Sequence, residues 1–335
     1  MITMLDVAKC AGVSKSTVSR VLNGKDVVRK EIKELVYKAI EETGYRPNLL
    51  AQQMATQKTS MIGLVITNEV YDGPYFSTLV YNAAKYCEKY DHRLIFADGK
   101  HTAEEEISAI DFLVGMKCAG IMIYTKYLTA RELDKIVKSC PVPVVALNQK
   151  LKNHAENSIF IDHYSGCLKM MDFLHSMGHR KIAYISGKKK SRSNSARQKA
   201  WREKMTEYDQ VVTDDMIVHG TWSMQSGYDA TVDLIKSKAE FTAILAGNDD
   251  MALGAIKALK ETGKSVPEDI SVTGFDNSKI GDFFSPALTT LEVPLEEMFK
   301  RAVELILNIP AKNDYSELSG TLIIRDSVRK IDSLE

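Results

Sequence analysis

TMLDVAKCAGVSKSTVSRVL, residues 3–22, decides how the rest of the chain is read. Met4, Val7, Ala8 and Ala11 recur at i, i+3, i+4 and i+7, the apolar stripe of one helix. Gly12 interrupts that stripe, and Val18, Val21 and Leu22 mark a second one with Ser14 placed as its N-cap. Thr3 and Asp6 have capping-box spacing, with Asp where Glu or Gln is usual. Lys15, Ser16, Ser19 and Arg20 form the polar face of the second helix. Two short helices joined by a Gly-containing turn, the second basic outside, make a helix-turn-helix pattern. Periodicity alone also fits an ordinary helical hairpin with a solvated face; the residue order separates the two.

DVAKCAGVSKSTVSRVLNG resembles the DNA-reading signature of LacI-type bacterial repressors, in which D-V-A, A-G-V-S and T-V-S-R-V-L-N follow in that order. A motif of this length has few accidental matches. The resemblance implies a transcription regulator whose Thr3, Ser14, Lys15, Ser16, Thr17, Ser19, Arg20 and Asn23 meet double-stranded operator DNA. It also implies a homodimer, because one head reads half of a palindrome.

A third helix is expected over about Lys30–Thr43, from Ile32, Leu35, Val36, Ala39 and Ile40, with Gly44 as its stop. Arg29, where the family carries a better N-cap, is a poor one. Residues 1–46 therefore read as a helix-turn-helix domain and 47–60 as a hinge helix and linker. In YRPNLLAQQMATQKTS the segment Asn48–Ala55 is too short to hold as a helix alone in water. It is a passive tether, or a hinge that orders on DNA and pushes an apolar wedge into the minor groove. The match to PNxxAQQ(L/M)A implies the hinge, with Tyr45, Asn48, Leu50, Ala51 and Met54 at the DNA.

Residues 61–335 read as an α/β core for effector binding and dimerisation. MIGLVIT, RLIFAD, AGIMIY, PVVAL, SIFID, KIAYIS, MIVHG, FTAILA and ISVTG are short β-rich runs separated by helical segments. Such alternation builds doubly wound parallel sheets, and about ten strands exceed one sheet. Two lobes are expected: about 61–161 with 291–318, and about 162–290 with 319–330. This resembles the periplasmic-binding-protein-like core of the same repressors.

Net charge is zero, with 44 Lys and Arg against 44 Asp and Glu, but the distribution is uneven. Residues 1–60 hold ten cations against six anions, so a basic head sits on a mildly acidic body, as a DNA reader with a neutral-ligand domain requires. Five cysteines without CxxC spacing read as reduced, mostly buried thiols, and the seven histidines as surface or singly bonded groups. The absence of a signal-type apolar region and of any membrane-length run implies a cytoplasmic, nucleoid-associated protein with no membrane partner. HExxH, GxSxG and GxGxxG are all missing, which excludes the corresponding enzymes; no metal and no cofactor are expected. Gly263-Lys264-Ser265 imitates the end of a Walker A motif, but Ala258 replaces its first Gly and a helix precedes it, so it reads as a helix terminus.

In open α/β sheets ligands sit beyond the carboxyl ends of strands. Asn68, Asp98, Asn148, Asn248 and Asp276 fall there. The family resemblance assigns an effector-gripping Arg to Arg197 in SARQKAW and an aromatic wall to Trp222 in GTWSMQSG. It places ligand contacts on Asn248 in GNDDMALGA and Asp276 in VTGFDN, and a cleft-facing aromatic pair on Tyr75 and Phe76. Asn248 could instead cap the following helix, and Trp222 could be core. Carboxylates, amides, an Arg and an aromatic platform suit sugar hydroxyls. FADGKHTAEEE and MIYTKYL are similar to segments of repressors of cryptic β-glucoside operons, which implies a β-glucoside or its phosphate as effector. The basic run Lys188–Lys190 with Arg192 is either solvated or the phosphate's partner.

Overall fold

The computed structural model describes residues 2–22, 28–46, 60–67, 73–189, 191–208, 210, 212–237, 239–310 and 317–331. The chain divides into two compact units, Met1–Thr59 and Ser60–Glu335.

The first unit has three helices, α1 (Met4–Cys10), α2 (Lys15–Leu22) and α3 (Lys30–Thr43). Val7, Ala8, Val18, Val21, Val36 and Ala39 close its core, each less than 4% exposed. Tyr45 packs on this core's rim. The Ser14 hydroxyl accepts the Thr17 N–H at 3.1 Å and so caps α2. At α1 the Thr3 N–H and hydroxyl donate to the Asp6 carboxylate at 2.9 and 2.7 Å, and these bonds hold that carboxyl below its usual range. Arg29 gives α3 no side-chain cap, and Gly44 ends it with φ at 65°.

The second unit holds two six-stranded sheets. Its chain order runs β1 (Met61–Ile66), α4 (Pro74–Lys89), β2 (Arg93–Asp98), α5 (Ala103–Gly115), β3 (Gly120–Tyr124), α6 (Ala130–Ser139), β4 (Val144–Leu147), β5 (Ser158–Ile161) and α7 (His163–Ser176). It continues with β6 (Ile182–Ser186), α8 (Arg192–Glu207), β7 (Ile217–His219), α9 (Met224–Ser237), β8 (Ala243–Ala246), α10 (Asp249–Glu261), β9 (Ser271–Phe275) and α11 (Lys279–Phe283). The last elements are β10 (Thr289–Glu292), α12 (Leu295–Ile306), β11 (Glu317–Leu318) and β12 (Thr321–Ile323). The first sheet, β11-β5-β4-β3-β1-β2, is wholly parallel. The second, β12-β10-β9-β8-β6-β7, is parallel except for β12, which runs antiparallel to β10.

Apolar runs such as Met61–Ile66 are buried at every position, as strands covered by helices on both faces must be. The chain passes from the first sheet to the second after Ile161, back after β10, and across again between β11 and β12. The return falls after Glu292, slightly later than the sequence places it, because Thr290 and Leu291 pair with β9 and β12. Helix α12 buries Met298, Phe299, Ala302 and Val303 against the first lobe. In the second lobe α9 and α10 touch backbone to backbone. A Cβ on Gly254 would stand 2.0 Å from the Met224 carbonyl, and one on Gly227 would stand 2.2 Å from that of Met251.

Gly263, with φ at 79°, stands just past Thr262, the C-cap of α10, and the Lys264 N–H returns to the Leu259 carbonyl, so the Walker-like string is a helix terminus. All five cysteines are free; Cys87, Cys118 and Cys167 are buried, while Cys10 is exposed. Two histidines depart from the single-bond expectation: His163 and His179 are both buried with both ring nitrogens bonded.

Candidate DNA interface and ligand cavity

In the first unit, capping at Ser14 fixes where α2 begins, and burial of Val18 and Val21 fixes which side turns outward. Lys15, Ser16 and Arg20 are exposed there, with Thr17 and Ser19 half-buried beside them. The Ser14 hydroxyl also shares hydrogen bonds with those of Ser16 (2.7 Å) and Thr17 (2.9 Å), a compact polar row along the start of the helix. Asn23, Asn48, Leu50, Ala51 and Met54, with the expected hinge helix, lie outside the described residues, as does Asn68.

In the second unit a cavity opens between the lobes. It is lined from the first lobe by Tyr75, Tyr124 and Asn148, and from the second by His163, Arg197, Trp222, Asn248 and Asp276, among others. Arg197, from α8, is 3% exposed. Its guanidinium lies 4.2 Å over the Phe275 ring, donates to the Gly247 carbonyl and donates at 3.2 Å to Nδ1 of His163. Its Nε has no hydrogen-bond partner. The Asp276 carboxylate stands 4.0 Å from Nη2, too long for a hydrogen bond. Burial pushes the Asp276 carboxyl well above its ordinary value; the Arg197 charge opposes this, and Asp249 and Asp250 reinforce it.

Asp276 holds φ at 106° and Asn277 at 53°, left-handed conformations that non-glycine residues adopt only when their surroundings impose them. Two contacts do so. Asp249 of α10 accepts the Ser278 N–H at 2.6 Å and the Thr290 hydroxyl at 2.5 Å. Arg325 donates to the Asn277 side chain at 2.7 Å. Asn248 fills both roles open to it: its Oδ1 accepts the Met251 N–H and caps α10, its Nδ2 donates to the Trp222 carbonyl, and it lines the cavity. Trp222 lies against Gly187 so closely that a Cβ there would meet the indole at 2.1 Å, so only glycine fits beneath it.

Two sequence expectations move. Phe76 turns away from the cavity lining and packs edge-on against Phe96 at 6.1 Å, because adjacent helical residues point about 100° apart. Asp98 accepts the Lys100 N–H at 2.7 Å, a local turn contact at the exposed end of β2, and does not reach the cavity.

Several lining residues had no mark in the sequence, while Lys188 and Arg192 belong to the basic run singled out there. Tyr124 closes the apolar run of β3; its position at a strand's carboxyl end was the available signal. His163 stands at the first crossing between the lobes. Lys126, Lys188, Ser191, Arg192 and Ser193 also line the wall. Arg192 also ties the lobes together, donating to Gln149 Oε1 at 2.6 Å and to the Leu128 carbonyl at 2.7 Å. The loop that offers Leu128 is pinned by the fully buried Glu106, which accepts the N–H groups of Lys126 and Leu128 at 3.0 Å and the Thr125 hydroxyl. Among the described residues no cluster of His, Cys, Asp and Glu could hold a metal, and no helix is long and apolar enough to cross a membrane.

Residues 3–48 match the bacterial regulatory proteins of the lacI family, and residues 171–328 a periplasmic binding protein-like domain. The transcriptional regulator AscG of Escherichia coli K12 is 40% identical over 331 residues, 98% of each chain. The chain belongs to the LacI family. A sugar-binding transcriptional regulator of the LacI family from Escherichia coli, solved with phosphate, shares 35% identity at a TM-score of 0.74, covering 82% of this chain and 100% of its own. A lac repressor dimer bound to operator and an anti-inducer shares 28% identity at 0.83, covering 98% and 99%. This LacI-family protein is therefore a DNA-binding transcriptional regulator with an effector-binding core, and not an enzyme. It acts on DNA in the cytoplasm.

Proposed function

We propose that this LacI-family regulator is a homodimeric repressor of a sugar-utilisation operon. Two heads hold a palindromic operator, and a small sugar filling the cavity releases it. The observation that carries the ligand class is Arg197. A buried guanidinium with an unmatched Nε, beside a carboxyl 4.0 Å away, leaves polar atoms that a ligand hydroxyl can satisfy from both sides. Trp222 supplies an apolar face for the sugar ring, and Tyr75, Asn148 and Asn248 supply further polar atoms at the wall. The related regulator solved with phosphate is described as sugar-binding, and the lac repressor is seen as a dimer on its operator. The resemblance of FADGKHTAEEE and MIYTKYL narrows the effector to a β-glucoside or its phosphate, for which Lys126, Lys188 and Arg192 put positive charge on the cavity wall.

On the DNA side, Lys15, Ser16 and Arg20 enter the major groove, flanked by Thr3, Ser14, Thr17, Ser19 and Asn23. Tyr45, Asn48, Leu50, Ala51 and Met54 serve the hinge and the minor groove, and the protein works on the nucleoid. The test is Asp276→Ala, with the β-glucoside arbutin as probe. Wild-type protein at about 100 times the dissociation constant gains about 2.7 kcal/mol in a thermal-shift assay. The variant keeps operator affinity and loses both that gain and release from DNA. A variant that responds to arbutin as the wild type does, or that fails to fold, overturns the assignment of Asp276.

A further inference from the structure

An unbroken series of hydrogen bonds crosses the cavity wall from one lobe to the other. Arg197 Nη2 lies 3.2 Å from His163 Nδ1, and His163 Nε2 lies 3.0 Å from Asn148 Oδ1. Asn148 Nδ2 lies 3.0 Å from the Tyr124 hydroxyl, itself 3.0 Å from that of Tyr75. Its sense is fixed at one end, because a guanidinium donates and never accepts. His163 Nδ1 must therefore accept, which puts the ring proton on Nε2. That proton faces the Asn148 oxygen and leaves the Asn148 amide to donate to Tyr124. The two tyrosines then own two hydroxyl protons, of which one joins them to each other. The other has no acceptor in the series, and both tyrosines line the cavity.

We propose that His163 is a positioning residue that makes the Tyr75–Tyr124 pair a hydrogen-bond donor toward the ligand. The cavity thereby selects an acceptor oxygen at that point and rejects an ammonium group. Burial and the Arg197 charge both hold the imidazole well below its usual range, so it stays neutral and keeps its tautomer. Burial likewise keeps both phenols protonated. Reversing Asn148 would reverse everything downstream: Tyr124 would spend its proton on the oxygen, Tyr75 would donate to Tyr124, and only lone pairs would face the ligand.

The inference rests on this cavity being the effector site, and its test has one arm that does not. In full-length protein carrying nitrogen-15 in its histidine rings, the His163 signal, assigned by its loss in His163→Gln, shows Nε2 protonated and Nδ1 bare at neutral pH. An Nδ1–H tautomer or an imidazolium overturns the proposal whatever the ligand. The second arm is Asn148→Asp, which keeps size and accepts from both neighbours, reversing the sense at Tyr124. Arbutin affinity, measured by titration calorimetry, falls tenfold or more, and Tyr75→Phe, which leaves the Tyr124 proton free for the cavity, falls less. Equal arbutin affinity in Asn148→Asp and wild type overturns the proposal. If wild-type protein ignores millimolar arbutin, the β-glucoside reading fails, and the tautomer alone decides the fate of this one.

Discussion

Asp249→Asn removes the titration of the buried carboxyl whose hydrogen bonds hold the Asp276 loop in place. Asp249 is 1% exposed, and burial raises its carboxyl from 3.8 to about 7 despite the hydrogen bonds from Thr290 and Ser278. At 1.36 kcal/mol for each tenfold change in proton affinity, that displacement is worth on the order of 4 kcal/mol. Its sign follows from linkage: the fold prefers the neutral acid, so the stability it contributes is complete below pH 4 and is lost as pH rises through about 7. Asparagine keeps an acceptor for the Ser278 N–H, can donate to the Thr290 hydroxyl oxygen, and does not titrate. Urea unfolding of both proteins, followed by circular dichroism, cancels the groups they share. The variant should gain on the wild type by on the order of 2 kcal/mol between pH 5 and pH 8. A stability difference that does not change with pH, or one that moves against the variant as pH rises, refutes the account of Asp249 as a buried, mostly neutral buttress.

Arg20→Ala should flatten the preference for operator over random DNA, since an Arg pairing with guanine supplies ~1–3 kcal/mol of discrimination; equal losses on both DNAs would reassign Arg20 to a phosphate. In Gly254→Ala a gain of about 1 kcal/mol in helix propensity is outweighed by overpacking, typically 1–3 kcal/mol, because the new Cβ lies 2.0 Å from backbone rather than from a yielding side chain. Its melting temperature should fall, whereas Gly115→Ala, with nothing within 4 Å, should raise it; the opposite order would show that α9 and α10 separate freely.

Most of the architecture was legible because two periodicities carry it. The 3.6-residue stripes of the head and the fully apolar runs of the parallel sheets announce themselves, so ten of the twelve described helices have counterparts in the pattern; the exceptions are α11, five residues long and too short for one, and α12, which lies in the stretch read only as crossing back between the lobes. β11 and β12, two and three residues long, are also too short for a pattern to register. In the cavity, polar residues beyond strand ends stood out, and Asn148, Asn248 and Asp276 do line it. Tyr124 did not stand out, because an aromatic closing an apolar run looks like core. His163 did not because its work lies in what touches each nitrogen, and no spacing records that. Phe76 misled because its neighbour Tyr75 has the same chemistry, and only the helix's rotation separates them.

The threading of the chain through both lobes also governs how the protein is made. Strands β11 and β12 close one edge of each sheet, against β5 and β10, and α12 covers the first lobe just before them. A nascent chain folds from its N-terminus at about 5–20 residues per second, so the head, closed within Met1–Thr59, precedes either half of the sensor by tens of seconds. Until Leu318 has emerged, two sheet edges wait open together, each a template for pairing with another chain. A ribosome that stops early therefore leaves both lobes unfinished at once. The cell then meets a closed head followed by two sheets that each lack an edge strand.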